Sequence, residues 1–169
     1  MLLTDHYSLL AGLDMSDTLT LQDLDPQFKD EVAAEPGCQH LYRCFGCGVC
    51  TATCPVSELT PGFSPSQIIR QVLYGQRAAL LGSPALWHCA RCARCSFQCP
   101  QDVRFLDIIH GLRNLARRDG FISPERLARL EEGERLIQEL RRRLISELVE
   151  GDEELEVKNA LARIAFEVE

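Results

Sequence analysis

Apolar residues recur at helical spacing in several stretches of the chain, and most of these stretches carry their own start and stop signals. Ser64-Pro65 opens one in which Ile68, Ile69, Val72 and Leu73 share a face, and Gly75 ends it. Ser83-Pro84 repeats the device and leads through Leu86 and Trp87 into Cys89. Beyond Pro100, Val103, Leu106, Ile109, Leu112 and Ala116 make a stripe that stops at Gly120. Ser123-Pro124 opens a longer segment with Leu127, Leu130, Ile137, Leu140, Leu144 and Leu148 at helical spacing, weakened at Gly133. Gly151 divides it from an acidic helix candidate running from Glu153 to Phe166. Near the start, Asp25-Pro26 offers a cap and a first-turn proline for a brief helix toward Ala34, closed by Pro36-Gly37. Only Thr18 to Leu24 alternates apolar and polar side chains, which predicts a short strand. The pattern predicts a mostly α fold with a short N-terminal strand and helix region and a C-terminal helical extension.

Composition changes this picture at one residue type. The chain has 169 residues and nine cysteines, and a chain of this length can bury a core without covalent staples. Disulfides suit small secreted domains. Here Met1-Leu2-Leu3 runs straight into Asp5 without the basic start of a signal peptide. No apolar run approaches the roughly 18–20 residues that span a bilayer. The expectation is a soluble, cytoplasmic protein with no membrane span, whose thiols stay reduced and hold metal.

Eight of the cysteines form two copies of one pattern: C-F-G-C-G-V-C-T-A-T-C-P from Cys44 to Pro55, and C-A-R-C-A-R-C-S-F-Q-C-P from Cys89 to Pro100. A zinc site uses a closed tetrahedron, commonly two separated C-x-x-C knuckles, and a third cysteine at the same spacing is surplus to a knuckle. A [4Fe–4S] cube has four irons, each needing one thiolate. A tight C-x-x-C-x-x-C turn wraps three corners, and the fourth faces away, to be reached by another segment. Proline after the fourth cysteine turns the chain away and brings no competing N–H. The duplicated pattern predicts two [4Fe–4S] clusters. Because Val56 to His88 reads as helices, the expected fold is an α-helical dicluster ferredoxin rather than the compact bacterial form joined by a short βαβ-like path.

Charge then falls into three blocks. Residues 1–37 carry eight acids and Lys29, residues 38–124 nine arginines and four acids, and residues 125–169 eight bases and thirteen acids. The basic middle suggests either nucleic-acid binding or compensation of the clusters' own charge. The basic count is modest and no aromatic-interleaved stripe accompanies it, so no nucleic-acid partner is expected. Two cubes with their thiolates bring about −4, which the middle block offsets.

Other residues near the motifs admit plainer readings. Cys38, outside both motifs, reads as a small buried hydrophobe. Gly46 and Gly48 either let backbone N–H groups approach cluster sulfurs or satisfy turns that need positive φ. Arg91 and Arg94 either tune a cluster or meet a partner, or are ordinary solvated side chains. Trp87 is a lid over a cluster or a core residue. His88 and His110 read as bystanders.

The run Cys44-x-x-Cys47-Gly48-x-Cys50 … Cys54-Pro55, the helix with Ile68-Ile69-Arg70 and Gly75, and Trp87-x-Cys89-x-x-Cys92-x-x-Cys95-x-x-x-Cys99-Pro100-x-x-Val103 together resemble the C subunit of heterodisulfide reductase over roughly residues 18–122. The resemblance implies an electron relay that takes electrons from the flavin-containing A subunit of heterodisulfide reductase and passes them to the cysteine-rich, catalytic B subunit. The chain has neither an adjacent Cys-Cys pair nor a G-x-G-x-x-G flavin fingerprint, so it is expected to be a wire, with no catalytic residue of its own. A free-standing dicluster ferredoxin is the alternative. Two-cluster ferredoxins exchange their fourth ligands as a rule. Carried to this chain, that rule gives Cys44, Cys47, Cys50 and Cys99 for one cluster, and Cys89, Cys92, Cys95 and Cys54 for the other. The expected organisation is an acidic region over 1–37, a dicluster ferredoxin domain over 38–122 and a helical extension over 123–169.

Overall fold

The computed structural model of the protein describes residues 21–60, 62–150 and 156–165. The chain divides into two compact units, residues 1–121 and 122–169. Helices dominate both, and the described residues contain no strand.

The first unit is built around its longest helix. Its elements are α1 (Phe28–Ala34), α2 (Val49–Ala52), α3 (Pro55–Leu59), α4 (Pro65–Leu73), α5 (Arg77–Leu81), α6 (Arg94–Phe97) and α7 (Phe105–Arg118). Short 3-10 turns at Leu41–Arg43 and Pro84–Trp87 lead into the two cysteine motifs. Of the stripe read along α7, Ile109, Leu112 and Ala116 are inaccessible to solvent and Leu106 is half-buried, and Ile108 and Leu115 complete the buried face. That face packs against α1, α5, α6 and the Pro84–Trp87 turn. Phe28 and Val32 of α1, Ile69 and Val72 of α4, and Leu80 and Leu81 of α5 fill the same core. Each such side chain contributes about 1.5–3 kcal/mol by leaving water.

The start signals act as the sequence suggests. Ser64 Oγ accepts from Gln67 N at 3.4 Å to open α4, and Ser83 Oγ accepts from Ala85 N at 3.1 Å. Gly75 stops α4 with φ +78°, and the reason it must be glycine is tertiary: a Cβ there would stand 2.3 Å from Asp25 O. Asp25 N donates to Gly75 O at 2.8 Å across that approach. Gly111 has a second close approach inside α7, where an added Cβ would lie 2.9 Å from Glu35 Cβ and 3.0 Å from Cys38 Sγ.

Two expectations need correction. Residues 18–20 of the expected strand lie outside the described residues, and its remainder is a 3-10 turn over Leu21–Asp23. Leu24 N donates to Leu21 O there, and Leu21 is 86 % exposed, so no neighbouring strand fixes the alternation. The first helix starts at Phe28, not Pro26, because Asp25 spends its carbonyl on Phe28 N and its carboxylate on Gln27 N.

The second unit contains α8 (Pro124–Glu150) and α9 (Val157–Ala165), which pack on each other. Ser123 Oγ accepts from Arg126 N at 3.3 Å to begin α8, and the helix runs unbroken through Gly133. None of the α8 side chains is fully buried, whereas Ala160 of α9 is. Among the described residues, no helix is long and apolar enough to cross a membrane.

Candidate metal centre

The two motifs adopt the same backbone course despite different sequences. In the first, Cys44 ends the Leu41–Arg43 turn, Gly48 caps α2, which carries Cys50, and Cys54 caps α3 with Pro55 as its first residue. In the second, Cys89 follows the Pro84–Trp87 turn, and Ala93 caps α6, which carries Cys95. The left-handed positions coincide: Gly46 (φ +76°) corresponds to Arg91 (φ +54°), and Gly48 (φ +79°) to Ala93 (φ +60°). Arg94 therefore matches Val49, not Gly48. The glycines of the first motif supply the positive φ that these turns need, and a Cβ at either would meet no protein atom within 4 Å. The second motif makes the same turns with L side chains, at a cost of about 1–2 kcal/mol per residue.

α2 and α6 pack together, and this brings the halves of the site face to face. Cys44, Cys47, Cys50 and Cys99 line one pocket, which Phe45, Ile69 and Phe105 also border. Cys54 does not line it; it lies within electrostatic reach of Cys89, as Cys92 does. Cys95 borders both groups, lining the pocket while its thiol interacts with those of Cys89 and Cys92. Cys99 thus shares a pocket with the first three cysteines of the other motif, and Cys54 lies near Cys89.

Burial shifts three of these thiols. It is the first cause that raises Cys50, Cys89 and Cys95, the last to about 11. Hydrogen bonds from the following residue oppose it in both motifs, from Thr51 to Cys50 and from Ser96 to Cys95. Val103 N donates to Cys99 Sγ at 3.4 Å. A metal must displace these protons, which couples loading to proton release.

The donor set fits an iron–sulfur cube better than a single ion. Among the described residues, no three His, Cys, Asp or Glu side chains close to the span of one metal ion. A cube holds its thiolates on four separate corners, and eight soft sulfur donors in two groups match that demand.

The remaining sequence candidates sort cleanly. Cys38 is fully buried behind α7, with Sγ 3.3 Å from Asp107 O. Burial, then Asp107 and Glu35, push its thiol up to about 12. Arg91, Arg94, His88 and His110 are exposed. Trp87 is half-buried and packs its ring on the Arg113 guanidinium, 5.2 Å from the ring centroid. Sequence reasoning missed Arg113. A lone arginine between Leu112 and Leu115 gives no local signal, and only the packing of α7 on the Pro84–Trp87 turn reveals it.

Comparison with known proteins agrees with this geometry. Residues 43–104 match the family model of the 4Fe-4S dicluster domain. The chain is 36 % identical over 102 residues to the C subunit of the H(2):CoB-CoM heterodisulfide,ferredoxin reductase of Methanothermobacter thermautotrophicus, covering 60 % of this chain and 54 % of that protein. It is 41 % identical over 97 residues to the C subunit of the ferredoxin:CoB-CoM heterodisulfide reductase of Methanosarcina acetivorans, covering 57 % and 38 % respectively. With the iron–sulfur C subunit of the CoB–CoM heterodisulfide reductase of Methanopyrus kandleri it shares 30 % over 109 residues, 60 % of this chain and 56 % of that one. The chain spans about half the length, or less, of these relatives. Residues 43–104 are thus similar to a 4Fe-4S dicluster domain, and about 60 % of the chain is similar to the iron–sulfur C subunits of heterodisulfide reductases.

Proposed function

We propose that the chain relays electrons through two [4Fe–4S] clusters inside a heterodisulfide-reductase-type complex, between a flavin-bearing subunit and a cysteine-rich catalytic one. One cluster is bound by Cys44, Cys47, Cys50 and Cys99, the other by Cys89, Cys92, Cys95 and Cys54. The observation that supports this reading is the placement of Cys99 in the pocket of the first motif's cysteines and of Cys54 within electrostatic reach of Cys89. Each cluster would supply one-electron chemistry when bound. The chain's own part is to hold the two centres together across α2 and α6, to limit water with Ile69, Phe105 and Val103, and to direct N–H and O–H donors at the thiolates. Association with other subunits is supported by the relatives, which are named as parts of complexes, and by α8, whose Leu136, Ile137, Ile145, Leu148 and Val149 are exposed.

The test is Cys99→Ser in anaerobically prepared full-length chain, with iron counting and EPR of the reduced protein. Crossed ligation predicts damage to the first motif's cluster while the Cys89, Cys92, Cys95 centre is initially retained. Selective damage to that second centre shows instead that each motif binds alone. Co-expression with neighbouring genes should recover a cysteine-rich partner. Recovery only as a fully competent monomer favours a free ferredoxin.

A further inference from the structure

Two polar side chains are buried among the described residues, Ser66 and Arg113, and they belong to different halves of the site. Ser66 lines the pocket of Cys44, Cys47 and Cys50, where its hydroxyl stands 2.9 Å from Thr51 Oγ1. Arg113 backs the second motif from α7. Its Nε donates to Leu86 O at 2.8 Å and its Nη2 to Cys89 O at 3.4 Å, while Trp87 covers the guanidinium face. Both carbonyls lie on the segment that delivers Cys89, so the cation fixes that segment and sits at the backbone of a proposed ligand.

The asymmetry has an electrostatic consequence. A guanidinium stays charged in proteins, and a buried charge is little screened by salt. Arg91 and Arg94 are exposed, where water weakens the same unit charge several-fold. Adding an electron to a cluster adds negative charge, which a fixed neighbouring cation stabilises.

Resting on the ligand sets proposed above, we infer that Arg113 is a positioning residue that sets the centre of Cys89, Cys92, Cys95 and Cys54 at a higher reduction potential than its twin. Electrons entering the chain then come to rest at that centre before they leave.

The experiment is an EPR-monitored redox titration of the full chain, after iron and labile sulfide have been counted. In Arg113→Met one centre becomes about tenfold harder to reduce, a midpoint about 59 mV lower for one electron, and the other does not move. Arg113→Lys keeps the wild-type value, and Arg91→Gln/Arg94→Gln shifts it less than Arg113→Met does. Unchanged midpoints at full iron content overturn the inference, and so does an equal shift in Arg113→Lys, which marks geometry rather than charge. If Arg113→Met cannot be loaded, the wild type decides. A buried cation keeps the separation of the two midpoints constant from low to high salt, and a collapsing separation overturns it. Wild-type iron content too low for two clusters overturns the proposed function itself and is read before any variant.

Discussion

At the scale of single residues, the two motifs show how one backbone is written in two chemistries. Gly48 and Ala93 occupy the same left-handed position, and neither has a packing constraint that decides the residue. The first is unstrained, and the second carries a Cβ penalty of about 1 kcal/mol. Ala93→Gly should therefore raise stability by about that amount, and Gly48→Ala should lower it similarly, read as shifted guanidinium midpoints under anaerobic conditions. Cys38 presents the opposite case, a cysteine whose role is volume. Its thiol fills the space that Gly111 leaves between α7 and Glu35. Cys38→Ala should leave iron and labile sulfide per chain unchanged while costing about 1 kcal/mol for the lost contacts.

At the scale of elements, glycine separates what local pattern can say from what it cannot. Gly133 and Gly75 look alike in sequence, each a break in a helical stripe. Gly133 lies within α8 with no neighbour within 4 Å of an added Cβ, so Gly133→Ala should stabilise the helix by up to about 1 kcal/mol. Gly75 is the landing place of Asp25, and Gly75→Ala should cost about 3 kcal/mol through the left-handed penalty and overpacking together. Thermal or denaturant unfolding of the pair reads the two opposite signs. The helices α4 and α7 were legible because their apolar stripes run for several turns between caps. α5 was not, since Arg77–Leu81 is too short for a period to register. The grouping of thiols was legible for a related reason: ligand spacing is a short-range signal, written within a dozen residues. Arg113 was not, because its role depends on a partner segment some twenty-five residues earlier.

At the scale of the molecule, the acidic start of the chain is joined to the basic middle by several side chains, among which Arg77 makes the most ion pairs. Arg77 reaches Asp25 at 3.0 Å, Glu31 at 3.0 Å and Asp119 at 2.6 Å, with its guanidinium over Phe28, and so ties α1 to the end of α7. Hydrogen bonds from Arg77 and then Arg118 hold Glu31 below its ordinary value; Arg118 and then Arg77 do the same for Asp119. Depressed carboxylates add stability that is complete above the ordinary carboxylate range, near pH 4, and is lost as pH falls through the lowered values. Arg77→Met should cost about 1–2 kcal/mol at neutral pH. The gap from wild type should narrow as the medium is acidified from about pH 6 to pH 3, measured by denaturant midpoints. All eight motif cysteines lie in the unit ending at Phe121. The proposed exchange of fourth cysteines carries a further consequence, for how the protein fails. If each centre borrows one ligand from the loop that wraps the other, an oxidant that strips either centre leaves its twin initially bound but on a loosened loop. Damage is then inherited rather than contained. A chelator titration should remove the second cluster faster than the first, so that one-cluster chains form only transiently on the way to the iron-free chain.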